Sequence, residues 1–158
     1  MFFNFMMMKT DELHYAILNE LQLDARMSNA EIGRKVGLTA PAVAERIRRM
    51  QAEGIIKGFT ATIDFMQLSY LQKVMIAVQL PHVNINPFLK EIRKMEGITD
   101  VIHTTGKYCF FVSLVVRSTH ELNLKLDQFG KFGKTTTFSV LSAPLESRPI
   151  LFCRKDLF

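Results

Sequence analysis

The feature that most constrains this chain is the stretch at residues 28–58, which carries the start and stop signals of two short helices joined by a tight turn. Ser28 is a good N-cap residue, and Glu31 three positions later completes a capping box for the first helix. Gly37 ends that helix, because glycine readily adopts the left-handed conformation found at helix C-termini. Pro41 suits the first turn of the second helix, where a backbone N–H is not needed. The pattern predicts a helix-turn-helix.

The second of these helices has an apolar face and a basic face. Thr39 is its expected N-cap and Gly54 its expected stop. At about 100° per residue, the apolar side is separated from the small and charged side. The apolar side holds Val43, Ile47 and Met50, and the opposite side holds Pro41, Ala42, Ala44, Glu45, Arg48 and Arg49, with Arg46 on its flank. Small residues let a helix approach base edges and arginines bind phosphate or guanine, so the pattern favours DNA binding over a merely solvated face.

The charge distribution supports this interpretation locally. The chain carries a net charge of +5 at pH 7, but residues 1–64 hold 8 basic and 8 acidic side chains, so the surplus lies further along. Residues 34–57 hold 6 basic side chains against 2 acidic ones. This local basic stripe, and not the overall charge, indicates nucleic-acid binding.

A further helix is expected upstream, over residues 11–22. Leu13, Ile17 and Leu21 recur there on one helical face. That face would close a three-helix core against the other two helices. His14 on this helix is expected to be exposed rather than to bind a ligand.

Three stretches have weaker signals. Residues 55–63 are rich in β-branched and aromatic side chains and predict one strand or a small wing. Residues 64–70 form a connector that is too apolar to be a free linker, so we expect it to lie against a partner surface. Residues 150–152 are expected to form a final edge strand.

The second part of the chain repeats a strand-helix-strand pattern. The predicted strands are 74–80, 98–105, 108–116 and 136–142, and the predicted helices begin at Asn86-Pro87 and at Ser118 or Thr119. This order predicts an α+β, ferredoxin-like βαββαβ fold with both helices on one face of the sheet. Two of the strands, 74–80 and 108–116, are apolar on both faces. Because the helices cover only one face, we expect a second subunit on the other.

Several classes of function are disfavoured by the composition. No run of about 18 apolar residues predicts a membrane span, and residues 1–8 lack the features of a signal peptide, so they are treated as a disordered or upstream-start extension. Cys109 and Cys153 give neither a disulfide framework nor a metal site, which makes a reduced, cytoplasmic setting the default. The histidines are scattered and no acid pair accompanies a nucleophile, so we expect no catalytic residues and no cofactor.

The helix-turn-helix stretch resembles that of Lrp/AsnC-type transcriptional regulators, the feast/famine family. The resemblance rests on residues 24–39, on Val43 and on residues 45–50 and 53–56. It extends over nearly the whole chain, from residue 11 to about residue 148. It implies a regulator that binds double-stranded DNA and responds to a small molecule, with an amino acid or a related compound as the expected effector.

The resemblance also implies two domains. An extension at 1–10 is followed by a helix-turn-helix domain at 11–58, a strand and connector at 59–71, and an ACT-like, ferredoxin-like domain for ligand binding and oligomerisation at 72–158. In the family, homodimers assemble into higher oligomers such as octamers, and effectors bind between dimers. A two-fold dimer would place two recognition helices about one DNA turn apart.

The expected DNA contacts lie on the two helices of the helix-turn-helix. They are Ser28, Asn29, Thr39, Ala42, Glu45, Arg46, Arg48 and Arg49. The first two are expected to touch the DNA backbone. The others are expected to make phosphate and base contacts from one shared helix.

The expected effector contacts lie on one loop and at the start of the last predicted strand. They are His103, Thr104, Thr105, Gly106, Tyr108, Thr135 and Thr136. Hydroxyl groups, a glycine backbone and Lys107 could hold the carboxylate and amine of an amino acid, although an ordinary polar hairpin would have the same composition. Cys109 stands where the family commonly has Asp, so the usual partner of the amine is missing.

The sequence disfavours three other interpretations. Residues 133–137 invite comparison with a phosphate-binding loop, but the glycine spacing is wrong and a strand follows. A few proteins that share the two-domain fold are sirohaem decarboxylases, which would have no use for the arginine face. A regulatory module that acts only through protein partners is disfavoured by the intact recognition helix.

Overall fold

The computed structural model describes residues 10–146 and 148–152 of the chain. The expected extension at residues 1–8 and Cys153 lie outside the described residues. Within those two described ranges, no helix is long and apolar enough to cross a membrane.

The described residues divide into two units. A helical unit contains residues 10–61 and the described residues after 144, and a sheet unit contains residues 62–144. The grouping of the C-terminal segment with the helical unit differs from the sequence expectation, which keeps residues 72–158 in one domain.

Three helices form the helical unit, and capping residues set their ends. They are α1 (Glu12–Leu23), α2 (Asn29–Val36) and α3 (Ala40–Ala52). The predicted capping box of α2 is confirmed: the Ser28 hydroxyl accepts the Glu31 N–H at 3.2 Å, and the Glu31 carboxylate accepts the Ser28 N–H at 2.9 Å. These reciprocal bonds satisfy backbone donors that the helix itself leaves unpaired.

The close packing of the turn between α2 and α3 requires glycine at two positions, one in the turn and one within α2 that faces it. Gly37 has φ +73°, the left-handed conformation expected at a helix end. Gly33 lies so close to the Leu38 carbonyl that a Cβ atom there would overlap it. Thr39 occupies the N-cap position of α3 as expected, but its side chain makes no capping hydrogen bond. The predicted N-cap position is therefore confirmed, and one of the two N–H groups that its side chain could accept is absent because Pro41 has none.

Apolar side chains from all three helices form one core, as their spacing predicts. The side chains with no exposed surface are Ile17, Ile32, Val43 and Met50. His14 is only 4% exposed, so the expectation that it lies on the surface is wrong. Its ring is buried because it lies between Asp11 and Arg46, within hydrogen-bond distance of both.

Residues 55–63 do not form the predicted strand. After Gly54, whose φ is +73°, the Ile55 and Ile56 N–H groups bond back to the Met50 carbonyl and close the end of α3. Phe59 and other apolar side chains of this stretch remain exposed. A strand needs a neighbour to pair with, and the described part of the chain supplies none here. The connector that follows contains a short 3₁₀ helix, Phe65–Leu68.

The sheet unit has the predicted order of four strands and two helices. They are β1 (Gln72–Gln79), α4 (Ile85–Ile92), β2 (Ile98–His103), β3 (Phe110–Val116), α5 (Thr119–Gly130) and β4 (Lys134–Ser139). The strands pair in the order β2-β3-β1-β4, and every neighbouring pair is antiparallel. This is the ferredoxin-like arrangement, and it confirms the predicted fold class.

Aromatic side chains fill the space between the sheet and its helices. Phe88 of α4, Phe110 of β3 and Phe129 of α5 have at most 1% of their surface exposed. The ring centroid of Phe88 lies 5.2 Å from that of Phe110 and 5.8 Å from that of Phe129. At these separations tilted aromatic pairs are attractive, so the three rings join both helices to the sheet.

The face of the sheet opposite this core is also apolar, as predicted. We call it the open face; it is formed by the cross-strand row Ile102, Phe111, Ala77 and Thr136 together with Phe138. Ile102 is 51% exposed and Phe138 is 43% exposed. Apolar surface of this kind favours contact with another protein surface.

Residues 150–152 do not form the expected edge strand. Their backbone groups bond instead to the side chains of Asn19 and Gln22 on α1. The expectation is wrong because these two amide side chains provide the donors and acceptors that a neighbouring strand would otherwise offer.

The close approach at the turn predicts the effect of one substitution. Gly33→Ala should lower the free energy of unfolding by about 1–3 kcal/mol, because the added methyl group overlaps the Leu38 carbonyl. Gly130→Ala is the matched control: a Cβ atom there meets nothing, so its effect should stay within about 1 kcal/mol. Urea unfolding followed by circular dichroism measures both, and equal stability of the two variants would contradict the prediction.

Candidate nucleic-acid interface and ligand site

Two exposed arginines, Arg48 and Arg49, lie on the outer side of α3. Among the contacts of the described residues, each arginine pairs with a carboxylate that belongs to α3 or follows it directly. Arg48 bonds to Glu45 through Nη2 at 2.7 Å and Nε at 3.0 Å, and Arg49 Nε lies 3.3 Å from Glu53. The bonds from Arg48 hold the pKa of the Glu45 carboxyl below its usual range. Exposed pairs of this kind are weak, so both arginines can exchange them for phosphate oxygens.

Arg46 has a different environment from the other two arginines. Its Nη1 lies 2.9 Å from both Asp11 carboxylate oxygens and 3.1 Å from the Nδ1 of His14. Its side chain is 26% exposed, against 73% for Arg48. These contacts attach α3 to the start of α1, and they favour a positioning role for Arg46 over the DNA contact expected from its place on the helix.

The Asp11 carboxylate, which binds Arg46, has a pKa that its surroundings shift. Burial acts to raise the pKa of Asp11, but the hydrogen bond from the His14 backbone N–H and the bonds from the Arg46 guanidinium act in the opposite direction. The net result is a pKa below the usual value for Asp. Asp11 therefore stays ionised and keeps its bonds to Arg46 at neutral pH.

The other expected DNA contacts lie near the N-termini of α2 and α3. Ser28, Asn29 and Thr39 are exposed there, and Ala42 is partly exposed in the first turn of α3. The Ser28 hydroxyl also donates to Glu31 at 2.6 Å, so its oxygen is already committed to the capping box. Free N–H groups at a helix N-terminus attract phosphate, which makes both helix starts suitable for the DNA backbone.

The expected effector residues divide into two groups. The His103 ring stacks on Phe110, with centroids 4.5 Å apart, on the helix side of the sheet. There it lines a cavity of about 450 Å³ together with Arg93, Met95 and other side chains. Tyr108 and Thr136 meet on the open face instead, with their hydroxyl oxygens 3.4 Å apart.

The strand order explains this division. β2 and β4 are the two edges of the sheet, separated by three strand spacings of about 4.8 Å each, or about 14 Å in all. Thr135 pairs with the buried Val78 and therefore shares the helix side with His103, but at the opposite edge. One chain alone cannot bring His103 and Thr135 to the same small ligand.

The loop between β2 and β3 is held in shape by a hydrogen bond within the loop, from a side chain to the backbone. The Thr104 hydroxyl donates to the Tyr108 carbonyl at 2.7 Å, and Gly106 has φ +104°, a conformation that disfavours other residues. The bond between the Tyr108 and Thr136 hydroxyls, together with the Lys107 ammonium 5.2 Å from the ring centroid of Tyr108, lowers the pKa of that phenol. The polar groups that face the open side here are a phenol, a hydroxyl and an ammonium.

The contacts of Cys109 and Gly133 are packing contacts. They explain both residues without a chemical role. The Cys109 thiol is partly buried and lies 3.4 Å from the Leu80 carbonyl oxygen. A Cβ atom at Gly133 would overlap the backbone at Gln79 and Leu80, which explains the glycine without a phosphate ligand. Among the residues that the structure describes, no cluster of three His, Cys, Asp or Glu side chains could hold a metal ion.

The fold and the exposed arginine face define a class: a DNA-binding protein with a separate ligand-binding domain. Residues 10–57 match the family model for a winged helix-turn-helix DNA-binding domain, and residues 73–150 match the model for the Lrp/AsnC ligand binding domain. A relative from Pyrococcus horikoshii, described as the uncharacterized HTH-type transcriptional regulator PH0045, is 31% identical over 139 residues, covering 83% of this chain and 90% of that protein. The chain belongs to the Lrp/AsnC family and is a transcriptional regulator of that type.

Two solved structures support the assignment of the fold. Bacillus subtilis LrpC superposes with a TM-score of 0.80 at 25% identity, covering 89% of this chain and all of that one. The transcriptional regulator NMB0573 from Neisseria meningitidis, solved as a complex with L-Met, superposes with a TM-score of 0.79 at 18% identity, covering 89% of this chain and 96% of that one. At that lower identity the likeness concerns the fold alone.

The environment of Asp11 predicts a pH dependence. Its ionised form favours the folded state, so this stabilisation is present above the unfolded-state pKa of about 4 and is lost as the pH falls through the lower folded-state value. Asp11→Asn should therefore reduce the free energy of unfolding at pH 7 and flatten its decline between about pH 5 and pH 2.

Urea unfolding at a series of pH values measures this effect. Asp127→Asn, an exposed substitution on α5, serves as the control and should leave the profile unchanged. A profile for Asp11→Asn that runs parallel to that of the parent would contradict the prediction.

Proposed function

We propose that the chain binds double-stranded DNA through the outer side of α3 and changes that binding when an amino acid or a related compound occupies the sheet unit. The proposal of DNA binding rests on the contrast among the three arginines of α3. Arg48 and Arg49 are exposed and paired within α3, whereas Arg46 is attached to α1. The outer side of α3 thus carries two arginines whose weak ion pairs can be exchanged for DNA phosphates, and Arg46 holds the helix itself against α1.

The DNA contacts are proposed to be of two kinds. Arg48 and Arg49, with Glu45 and Ala42 on the same side of α3, are proposed to contact the major groove, where a helix reads base edges. Ser28, Asn29 and Thr39, at the starts of α2 and α3, are proposed to lie against phosphates.

The proposed effector site is the Tyr108–Thr136 corner of the open face. The Lys107 ammonium suits a carboxylate, and the two hydroxyls offer further hydrogen bonds. The Cys109 thiol packs on the Leu80 carbonyl, so it does not replace the carboxylate that would bind an amine. A second subunit is proposed to complete the site, and an amino acid is proposed as the effector because the Lys107 ammonium and the two hydroxyls suit its carboxylate.

A homodimer, and higher oligomers such as octamers built from it, is proposed to cover the open face. Ile102 on β2 and Phe138 on β4 are large apolar side chains of the open face that stay exposed in one chain. Covering them in a dimer would remove apolar surface from water and also bring two copies of α3 into a two-fold arrangement.

We propose no enzymatic role for the chain. The relatives reported above are named transcriptional regulators, and the exposed arginines of α3 have a use in DNA binding and none in the alternative, a sirohaem-decarboxylase-like enzyme. Conversion of sirohaem by the purified protein, followed by absorbance, would favour the enzyme instead.

Removal of an exposed arginine should weaken DNA binding without unfolding the protein. Arg49→Ala should cost about 1–3 kcal/mol of binding free energy if the side chain reads a guanine, or make the slope of log K against log salt shallower by about one if it contacts a phosphate. Binding to random-sequence duplex DNA across a salt series, measured by fluorescence anisotropy, distinguishes these results.

Two further variants serve as comparisons for Arg49→Ala. Arg93→Ala removes an exposed arginine from the sheet unit and should leave DNA affinity unchanged. Arg46→Ala should weaken binding and lower thermal stability together, because it removes the bonds to Asp11. Equal affinity of Arg49→Ala and the parent at matched salt would refute the proposed interface.

Self-association should depend on the open face. Phe138→Glu should shift the protein toward monomer, because a dimer would have to bury the new carboxylate without a partner. Leu124→Glu, at a similarly exposed apolar position on α5, is the control and should not change the oligomer. Sedimentation velocity measures both, and an unchanged sedimentation coefficient for Phe138→Glu would contradict the proposed dimer.

A further inference from the structure

Two side chains of α1 bind the backbone of the C-terminal segment. Gln22 donates from Nε2 to the Ile150 carbonyl at 2.7 Å and accepts the Ile150 N–H at 3.0 Å. Asn19 donates to the Phe152 carbonyl at 2.9 Å and accepts the Phe152 N–H at 2.8 Å. Each amide therefore satisfies both backbone groups of one residue, as a neighbouring strand would.

The spacing of these four residues makes the match specific. Residues three apart on a helix are surface neighbours about 5–6 Å apart, and residues two apart in an extended chain are about 6.7 Å apart. Asn19 and Gln22 can therefore bond to alternate residues only if the segment is extended. Pro149 precedes the first bonded residue, and its ring holds the backbone in a conformation compatible with an extended chain.

An aromatic contact adds to the hydrogen bonds. The Phe152 ring lies with its centroid 5.1 Å from that of Tyr15, tilted by 54°. It also lines a cavity of about 480 Å³ whose wall includes Leu18 and Leu21 of α1. The segment thus combines backbone recognition with an apolar anchor, two features that distinguish a built contact from a chance one.

The same helix holds the recognition helix at its other end. Asp11, the N-cap of α1, and His14 in its first turn both bond to Arg46 of α3. Asn19 and Gln22 are five to eleven residues further along the same helix, which is rigid over this length. The segment that they bind is the continuation of the chain that leaves β4, the strand carrying Thr135 and Thr136.

We propose that residues 148–152 form a strap that fixes α1, and that α1 in turn fixes the recognition helix through Arg46, so that the chain leaving β4 controls how well α3 binds DNA. The second half of this proposal rests on the proposed function in DNA binding. Asn19 and Gln22 are positioning residues for α3 and make no contact with DNA.

The first test removes the α1 side of the strap in the full chain. Asn19→Ala combined with Gln22→Ala should raise the rate of amide hydrogen exchange in α1 and α3 by about tenfold, because the helices open locally more often without these bonds. The affinity for random-sequence duplex DNA should fall about three- to tenfold at fixed salt, since a less fixed recognition helix must be ordered on binding. Hydrogen exchange by mass spectrometry and fluorescence anisotropy measure the two effects.

A matched control removes the same two residue types elsewhere. Asn123→Ala combined with Gln128→Ala, both exposed on α5, should change neither exchange in α1 and α3 nor DNA affinity. Unchanged exchange in the Asn19 and Gln22 variant would overturn the strap. Raised exchange with unchanged DNA affinity would overturn its control of DNA binding. If the parent itself fails to bind DNA, the proposed function fails, whereas the exchange data still decide whether the strap holds α1.

A second variant tests the strap from the other side. Ile150→Pro removes the N–H that Gln22 accepts and lies outside every helix and strand, so the fold should persist. It should raise exchange in α1 as Gln22→Ala does, and the two changes combined should have less than the sum of their effects, because they break the same contact. Fully additive effects would overturn the assignment of this contact.

Discussion

The DNA-binding surface depends on the burial of a few apolar side chains in the helical unit. Ile17 of α1, Ile32 of α2, and Val43 and Met50 of α3 have no exposed surface, and each fully buried side chain of this size contributes about 1.5–3 kcal/mol. A partly exposed ion pair is worth about 0–1 kcal/mol, so packing decides where α3 lies and the ion pair with α1 refines its orientation. Arg48 and Arg49 stay exposed on the outer side of α3 because apolar side chains of the same helix fill its inner face.

In the sheet unit, apolar side chains lie on both faces of the sheet. On one side β1 and β3 meet the aromatic core around Phe88; on the other they present the open face, where Ile102 and Phe138 remain exposed. A single chain with two helices can cover only the first side. The central strands are apolar on both faces, so the core within the chain accounts for only one face, and the proposed dimer would account for the other.

The candidate ligand site shows where proximity in sequence misleads. His103 and Tyr108 are five residues apart, yet one lies on the helix side of the sheet and the other reaches Thr136 on the open face. Thr135 and Thr136 are adjacent, but successive residues of a strand point to opposite faces. Strand order and pleat, rather than composition, therefore decide which hydroxyl groups can share a ligand.

Local elements could be predicted from the sequence, because capping residues, glycines and apolar spacing act over a few residues: the Ser28–Glu31 box, the helix end at Gly37 and the order of strands and helices in the sheet unit are present as predicted. How residues of different elements meet depended on the packing of the whole unit. It buried His14, directed Arg46 toward α1, and placed the C-terminal segment on side-chain amides of a helix instead of at a sheet edge. These outcomes depend on which polar partners are brought close by packing, and they join residues from three different helices or segments, up to 133 positions apart, whose contacts the spacing within one helix or strand does not specify.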